Sequence, residues 1–143
     1  MTYPFATQIR VRYRDVDMQQ VVHNSQYLNY AEIARIEYLR DRGLPYQEVV
    51  SRYNLEMVVA ESHCDYRRPA RFDDLLTVRV GVGGIGNSSF TVEYVIHREA
   101  TEEVIALIHT HHVCVDRERW KPVRIPEEVL ELFREDEIEL QVI

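Results

Sequence analysis

One long helix, introduced by two aspartates and a turn, constrains the fold of this chain more than any other feature. Residues 12–43 read RYRDVDMQQVVHNSQYLNYAEIARIEYLRDRG, in which Asp15 and Asp17 stand on an approach predicted to be extended. We expect the helix to begin near Asn24, with Asn24 or Ser25 as its cap. Apolar side chains then recur at spacings of three and four, which gathers them on one helix face: Tyr27, Tyr30, Ala31, Ala34 and Tyr38.

The opposite side of this helix is also partly apolar. Ile33 and Ile36 fall there among polar residues, so apolar side chains surround most of the helix. A helix of this kind is normally enclosed by other structure, and we expect it at the centre of the fold rather than on its surface. Gly43, followed by Pro45, predicts where the helix ends.

Strand-like alternation dominates the rest of the chain. Residues 8–13 predict a short strand that leads into the aspartates, and residues 55–68 predict a longer one that Pro69 ends. Residues 76–82 and 90–96 both alternate with period two, and the short glycine-bearing connection between them predicts an antiparallel hairpin.

Three further elements complete the prediction. Residues 45–53 form one or two helical turns, residues 104–115 form another long strand, and a short helix begins at Pro126 as its first residue. The α+β class follows, with an antiparallel sheet that curls around the one long helix.

Length and charge exclude several classes of protein. The 143 residues predict a single domain over residues 1–143, and a net charge of -7 disfavours binding to nucleic acid. No apolar run is long enough for a membrane span and no leader is evident, so we expect a soluble cytoplasmic protein. Cys64 and Cys114 are fifty positions apart and predict buried free thiols.

Asp17 is the first candidate for catalysis. A carboxylate at the turn before a helix can face a carbonyl carbon whose oxygen is held by the free amides of the first helical turn. One well-aimed donor to an oxyanion contributes about 3 to 4 kcal/mol in a transition state. The alternative is that Asp15 and Asp17 only complement the helix dipole.

Other polar residues near this turn are candidates for binding. Tyr13, His23 and Asn24 flank the turn and can orient a water or a ligand, although Asn24 also fits a simple cap and His23 a loop histidine. Glu32 stands two turns into the helix, on a face able to look back toward the turn, although a lone helix glutamate is usually solvated.

Several patterns point elsewhere. Gly81, Gly83 and Gly86 match a dinucleotide-binding pattern, but a strand follows them, which indicates a hairpin turn. His109 and His111 share one strand face, yet no third ligand follows by spacing, so we expect no metal. Two basic groups can bind phosphates or be solvated loop charges: Arg67, Arg68 and Arg71, and Arg117, Arg119, Lys121 and Arg124.

These motifs together resemble the hotdog-fold acyl-CoA thioesterases of the 4-hydroxybenzoyl-CoA thioesterase type. The resemblance runs through RYRDVD with Asp17, through VVHNSQYLNYAEIARIEYLR with Tyr27, and through YRRPARFDDLLTV and HTHHVCVD, and so covers nearly the whole chain. It implies a five-stranded antiparallel sheet wrapped around the long helix, and homodimers or homotetramers with active sites at an interface. Many relatives have glycine where this chain has Gln20, which leaves the shape of the turn open.

The resemblance also implies the chemistry. Asp17 is the catalytic carboxylate, either as nucleophile or as general base, and the backbone N–H of Asn24 polarises the thioester carbonyl. We assign four residues to substrate binding: Tyr13 and His23 because they flank the turn, and Tyr27 and Glu32 because the resemblance points to their positions. The implied reaction is hydrolysis of an acyl-CoA to free acid and CoA without a cofactor or metal. Two alternatives stay open, hydrolysis of an acyl carrier protein thioester and a non-catalytic acyl-CoA-binding module.

Overall fold

The computed structural model of the protein describes residues 2–141, which form one antiparallel sheet and three α-helices. The predicted α+β class and the five-stranded antiparallel sheet are confirmed, and the strands lie in the order β1-β3-β4-β5-β2. The strands are β1 (Phe5–Arg10), β2 (Leu55–Tyr66), β3 (Leu75–Gly83), β4 (Ser89–Arg98) and β5 (Val104–Asp116). The helices are α1 (Gln26–Asp41), α2 (Tyr46–Tyr53) and α3 (Glu127–Glu135).

The long helix α1 packs one face against the sheet. The helix contacts β1, β3 and β5, and its buried side chains are the five of the predicted face and Leu39: Tyr27, Tyr30, Ala31, Ala34, Tyr38 and Leu39. Leu28 and Ile33 are 37% and 44% exposed, so the single chain does not cover the helix on every side, and its place at the centre of the fold stays a prediction. Gly43 has a φ of +79° and ends the helix as predicted, because glycine adopts this conformation without steric cost.

The predicted hairpin is formed by β3 and β4, which pair from Leu76 and Arg98 to Gly83 and Thr91. The glycines of the dinucleotide-like pattern have a packing role here. A Cβ atom at Gly83 would lie 2.7 Å from the carbonyl oxygen of Ile138, so glycine allows the C-terminal segment to lie directly on the sheet.

The structure corrects the boundaries of two elements. The first strand is Phe5–Arg10 rather than residues 8–13, because its ladder with β3 ends where Arg10 faces Leu75. The chain then forms a single 3-10 turn over Tyr13–Asp15, so the approach to Asp17 is not a continuous strand. Pro126 occupies the position before α3 and is not its first residue.

Burial distinguishes the two cysteines. Both are free thiols; Cys114 is buried as predicted, whereas Cys64 is only half-buried. Burial raises the pKa of both thiols, that of Cys114 to about 11, so neither is a reactive thiolate at neutral pH. Within residues 2–141, no helix has the length and apolar character needed to cross a membrane.

Candidate active site

A tight turn between Val16 and Val22 carries Asp17 to the start of α1. Val16 and Val22 form an isolated antiparallel bridge, and inside it the N–H of Asp17 donates to the carbonyl of Val21 at 3.1 Å. The N–H of Gln20 donates to the carbonyl of Asp17 at 2.9 Å, and Gln20 has a φ of +66°. Gln20 thus takes the left-handed conformation that glycine adopts freely, which costs a side-chain-bearing residue about 1 kcal/mol.

The carboxylate of Asp17 has one oxygen engaged by the protein. Its Oδ1 accepts the N–H of Gln19 at 2.8 Å, which fixes the side chain in a local turn. Within residues 2–141, Oδ2 accepts no hydrogen bond, and the side chain is half-buried. One carboxylate oxygen is therefore held in place while the other is available to a substrate or a water.

Asp15 has a structural role that distinguishes it from Asp17. It is only 6% exposed, and its Oδ2 accepts the hydroxyl of Tyr30 at 2.7 Å and the N–H of Arg12 at 2.9 Å. Burial, together with the hydrogen bond to Asp15, raises the pKa of the Tyr30 phenol. Asp15 therefore anchors the 3-10 turn onto α1 rather than complementing the helix dipole, which was one of its predicted roles.

His23, not a side chain of Asn24 or Ser25, satisfies the first amides of the helix. Ser25, one of the two predicted candidates, occupies the cap position, but its side chain makes no capping hydrogen bond. The N–H of Ser25 donates to Nδ1 of His23 at 3.2 Å, and the N–H of Gln26 donates to the carbonyl of His23 at 2.9 Å. Nδ1 accepts this bond, so a neutral ring carries its proton on Nε2.

The backbone N–H of Asn24 is an unengaged donor just before this helix. Among the residues that the structure describes, no acceptor lies within hydrogen-bonding distance of it, whereas its carbonyl accepts the hydroxyl of Tyr66 at 3.1 Å. A free N–H at the positive end of a 16-residue helix is a donor suited to a developing oxyanion.

One open depression of about 520 Å³ brings four of the predicted site residues together. Its lining includes Asp17, His23, Asn24 and Tyr27, all predicted, and a group from the end of β2 and the segment after it: Tyr66, Arg67, Arg68 and Pro69. The depression thus combines a carboxylate, a free backbone donor, aromatic rings and two cations.

Tyr27 and Tyr66 form the aromatic wall of this depression. Tyr27 is 4% exposed and its hydroxyl accepts the N–H of Ala70 at 3.3 Å. The rings of Tyr27 and Tyr66 meet edge to face with centroids 5.4 Å apart. Our sequence analysis did not single out Tyr66 by itself; the signal available was an aromatic residue directly before a pair of arginines at a predicted strand end.

The structure does not bring Tyr13 and Glu32 into the depression. Tyr13 is 79% exposed, packs edge to face against Phe72 at 5.7 Å, and borders a neighbouring depression that shares Asp17. Glu32 lines other cavities along α1, which share no residue with the lining around Asp17 and Asn24. In the single chain, the substrate-binding role predicted for Glu32 has no geometric support.

The two predicted basic groups differ in position. Arg67 and Arg68 line the depression; Arg67 pairs with Asp65 at 2.7 Å and Arg68 lies 3.9 Å from Glu103. Arg71 borders the neighbouring depression. The second group lies in the connection between β5 and α3, where Arg117 and Arg124 pair with Glu56 and Glu127, apart from the candidate site.

The strand histidines have partners on the sheet. His109 stacks on His63 with ring centroids 5.0 Å apart, and Nδ1 of His111 lies 3.0 Å from the hydroxyl of Thr91. Within the described part of the chain, no three His, Cys, Asp or Glu side chains are grouped so as to hold a metal ion.

Comparison with known proteins identifies the family. The model of the thioesterase-like superfamily matches residues 11–133. The chain is 33% identical to the acyl-CoA thioesterase YbgC of Haemophilus influenzae over 90% of its length and 93% of that protein. It is 32% identical to the long-chain acyl-CoA thioesterase FadM of Escherichia coli, over 87% and 93% of the two chains.

A solved structure agrees with these matches. A hypothetical protein from Aquifex aeolicus superimposes with a TM-score of 0.84 at 35% identity, covering 91% of this chain and 99% of the other. The resemblance to hotdog-fold thioesterases drawn from the sequence is confirmed, and with it the prediction of a thioester hydrolase. The chain belongs to the thioesterase-like superfamily.

Proposed function

We propose that this protein hydrolyses an acyl-CoA thioester to a free acid and CoA, with Asp17 as the catalytic carboxylate. The observation that carries the proposal is the depression that Asp17 and Asn24 both line, each with one polar group that no described residue engages, Oδ2 of Asp17 and the backbone N–H of Asn24. The names of the relatives YbgC and FadM, both acyl-CoA thioesterases, support the same substrate class.

The thioester carbonyl oxygen binds the N–H of Asn24. As the carbonyl carbon becomes tetrahedral, its oxygen gains negative charge, which this donor and the helix dipole stabilise. The bond from carbon to sulfur then breaks, and CoA leaves as a thiolate that takes a proton from water.

Asp17 acts in one of two ways. As a nucleophile, its carboxylate attacks the carbonyl carbon and forms a mixed anhydride, which water hydrolyses to the free acid and the restored carboxylate. As a general base, it takes a proton from a water molecule while that water attacks the carbonyl carbon directly. The fixed Oδ1 and the unengaged Oδ2 suit both roles.

CoA supplies phosphates that match the basic rim. Arg67 and Arg68 line the depression on the side of Pro69, and Arg71 lies just beyond it. Guanidinium groups bind phosphate oxygens in a bidentate manner, so this group favours CoA over a neutral thioester. Hydrolysis of an acyl carrier protein thioester stays an alternative, because its pantetheine arm also carries a phosphate.

The exposed side of α1 supports the oligomer that the resemblance implies. Leu28 and Ile33 stand exposed on this helix, in a chain that acts, on this proposal, as a cytoplasmic homodimer or homotetramer. A second subunit that covers this side would make α1 the central helix of the assembly. Sedimentation of the purified protein tests this, with the mass of a monomer as the contrary result.

The central test follows release of free thiol from short, long and aromatic acyl-CoAs. Asp17→Asn is expected to lower kcat by about a hundredfold to ten-thousandfold while the protein stays folded. Glu61→Gln, at an exposed carboxylate on β2, is the matched control and is expected to retain full activity. Binding without turnover by the native protein would instead identify a binding module.

Single-turnover hydrolysis in ¹⁸O-labelled water addresses the role of Asp17. Label found in the Asp17 carboxylate requires the mixed anhydride, since a general base never exchanges its oxygens. Replacing Arg67 and Arg68 together by Gln is expected to raise KM for acyl-CoA several-fold and to leave KM for the acyl-pantetheine analogue unchanged, because that analogue lacks the phosphates.

A further inference from the structure

The end of β2 and the segment after it hold the start of α1 from outside. Three hydrogen bonds join them to the turn and to the first residues of the helix. The N–H of Val22 donates to the carbonyl of Ala70 at 2.8 Å, and the N–H of Ala70 donates to the hydroxyl of Tyr27 at 3.3 Å. Between these two bonds, the hydroxyl of Tyr66 donates to the carbonyl of Asn24 at 3.1 Å. The three bonds therefore bracket the residue whose N–H is unengaged.

This segment is itself fixed to the sheet. The N–H groups of Arg67 and Arg68 both donate to the carbonyl of Ile105 in β5, at 2.8 Å and 3.1 Å. The carbonyl of Pro69 accepts Nη2 of Arg98 from β4 at 2.9 Å. A site supported by rigid elements keeps its geometry more closely than a site on a free loop. The sheet thus determines, through this segment, where the start of α1 lies.

Local bonds alone do not fix the position of the Asn24 donor. The N–H of Ser25 donates to Nδ1 of His23, and the N–H of Gln26 donates to the carbonyl of His23. Both bonds lie within four consecutive residues, so they fix the shape of the helix start but not its place relative to the sheet. The bond from Tyr66 spans forty-two positions and supplies this second constraint.

Tyr66 differs from the other two ties in its exposure. Ala70 is fully buried and Tyr27 is 4% exposed, so their bond belongs to the interior and serves stability. Tyr66 is 48% exposed and its side chain lines the depression at Asp17. Removal of a partly exposed hydroxyl has a small effect on stability. An effect of Tyr66 on activity can therefore be separated from an effect on folding.

The hydroxyl of Tyr66 keeps its proton and is held in place. Burial, with the neighbouring thiol of Cys64, raises the pKa of Tyr66 to about 12. At neutral pH the phenol is therefore uncharged and donates to the carbonyl of Asn24, and it places no negative charge beside a developing oxyanion. The edge-to-face contact with the ring of Tyr27, at 5.4 Å between centroids, restrains the ring that carries this hydroxyl.

We propose that Tyr66 is a positioning residue for thioester hydrolysis, which holds the N–H of Asn24 where the carbonyl oxygen of the substrate binds. This role rests on the proposed function, because it requires Asn24 as the oxyanion donor. Displacement of a catalytic group by about 1 Å lowers a rate by up to about a hundredfold. Tyr66 acts through Asn24, whose bond to the substrate strengthens as charge develops, so loss of the hydroxyl affects the transition state more than the bound substrate.

Thiol release from the acyl-CoA that the native protein hydrolyses fastest tests this role. Tyr66→Phe removes only the hydroxyl and is expected to lower kcat about tenfold, while KM stays within about twofold of the native value. Tyr53→Phe is the matched control. Tyr53 is a half-buried tyrosine that also donates one long-range hydrogen bond, to Glu128 at 2.8 Å, and it borders a depression that shares no residue with the one at Asp17.

Tyr53→Phe is expected to keep the native kcat. Each variant loses one hydrogen bond of a partly exposed hydroxyl, so the melting temperatures of both are expected to fall by a similar amount, no more than about 4 °C. A tenfold loss of kcat in Tyr66→Phe alone then reports the position of the donor rather than the stability of the fold.

Nuclear magnetic resonance supplies a readout that needs no turnover. The chain has asparagine at four positions, so labelling of asparagine with ¹⁵N gives four backbone amide signals: Asn24, Asn29, Asn54 and Asn87. Asn24→Gln identifies the signal of Asn24 by its disappearance. Tyr66→Phe is expected to shift or broaden the signal of Asn24 and to leave those of Asn54 and Asn87 unchanged, whereas Tyr53→Phe leaves the signal of Asn24 unchanged.

Several results would overturn the role of Tyr66: a native kcat in Tyr66→Phe, a loss of kcat/KM that lies wholly in KM, an equal loss of kcat in Tyr53→Phe, or an unchanged signal of Asn24. Failure of the proposed function gives different results. If the native protein hydrolyses no acyl-CoA, the role of Tyr66 in hydrolysis falls with it. If Asp17→Asn keeps the native kcat, the proposed role of Asp17 fails, and the kcat of Tyr66→Phe still decides that of Tyr66.

Discussion

The hydroxyl of Tyr30, in the second turn of α1, donates a hydrogen bond of 2.7 Å to the buried carboxylate of Asp15. This bond attaches the 3-10 turn Tyr13–Asp15 to α1. Because Asp15 lies two residues before Asp17, the bond also fixes the path of the chain that places Asp17 near the start of α1. Asp15 is 6% exposed, so its carboxylate is stabilised by hydrogen-bond donors inside the protein rather than by water.

Tyr30→Phe is expected to lower the free energy of unfolding by about 1 to 3 kcal/mol, because it leaves the buried Asp15 carboxylate short of a donor. Urea unfolding followed by circular dichroism measures this change. Tyr13→Phe, at a tyrosine that is 79% exposed, is the matched control and is expected to change stability by less than about 0.5 kcal/mol. Equal stability of the two variants would contradict a structural role for the bond.

Gln20→Gly is expected to raise the free energy of unfolding by up to about 1 kcal/mol. Relief of the left-handed conformation at φ +66° outweighs the extra chain entropy that glycine gives to the unfolded state. Gln19→Gly is the control: its φ is not positive, so the entropy term acts alone and destabilises by about 0.5 to 1 kcal/mol. Thermal unfolding of both variants tests whether Gln20→Gly raises the free energy of unfolding while Gln19→Gly lowers it.

His112 makes stability depend on pH in the acidic range. Burial, with the nearby charge of Arg35, lowers the pKa of His112 from 6.5 to about 3. Between these values the unfolded chain binds a proton that the folded protein does not, so the free energy of unfolding falls as the pH falls from 6.5 toward 3. His112 changes the free energy of unfolding by at most about 1.36 kcal/mol per pH unit in this range, and above pH 6.5 it adds no further pH dependence.

Urea unfolding at intervals between pH 4 and 8 tests the role of His112. His112→Gln keeps a polar side chain able to bond the hydroxyl of Thr110 and removes the titrating ring, so its stability is expected to fall less steeply below pH 6.5 than that of the native protein. His63→Gln, at an exposed histidine on β2, is the control and is expected to retain the native slope. The same slope in His112→Gln as in the native protein would refute the assignment.

Local sequence patterns were enough to predict most elements of the fold. The spacing of Tyr27, Tyr30, Ala31 and Tyr38 identified the buried face of α1, and Gly43 marked its end. Alternation with period two predicted β3 and β4, because successive side chains of a strand point to opposite faces of the sheet. These features are encoded by residues within a few positions of one another.

Sequence patterns failed where contacts are long-range. Residues 8–13 alternate like a strand, yet pairing with β3 ends at Arg10 and the chain turns instead.

By itself, then, the sequence determined the helix, the strands and the candidate turn with Asp17 and Asn24, because hydrophobic period and turn chemistry are local. Only the tertiary structure decided that Asp15 is buried while Asp17 is half-buried, and that the hydroxyl of Tyr66 reaches the carbonyl of Asn24 across forty-two positions. It also decided that Arg35 has no counter-ion among the described residues. Burial and pairing of charges depend on which distant segments meet, and no short stretch of sequence contains that information.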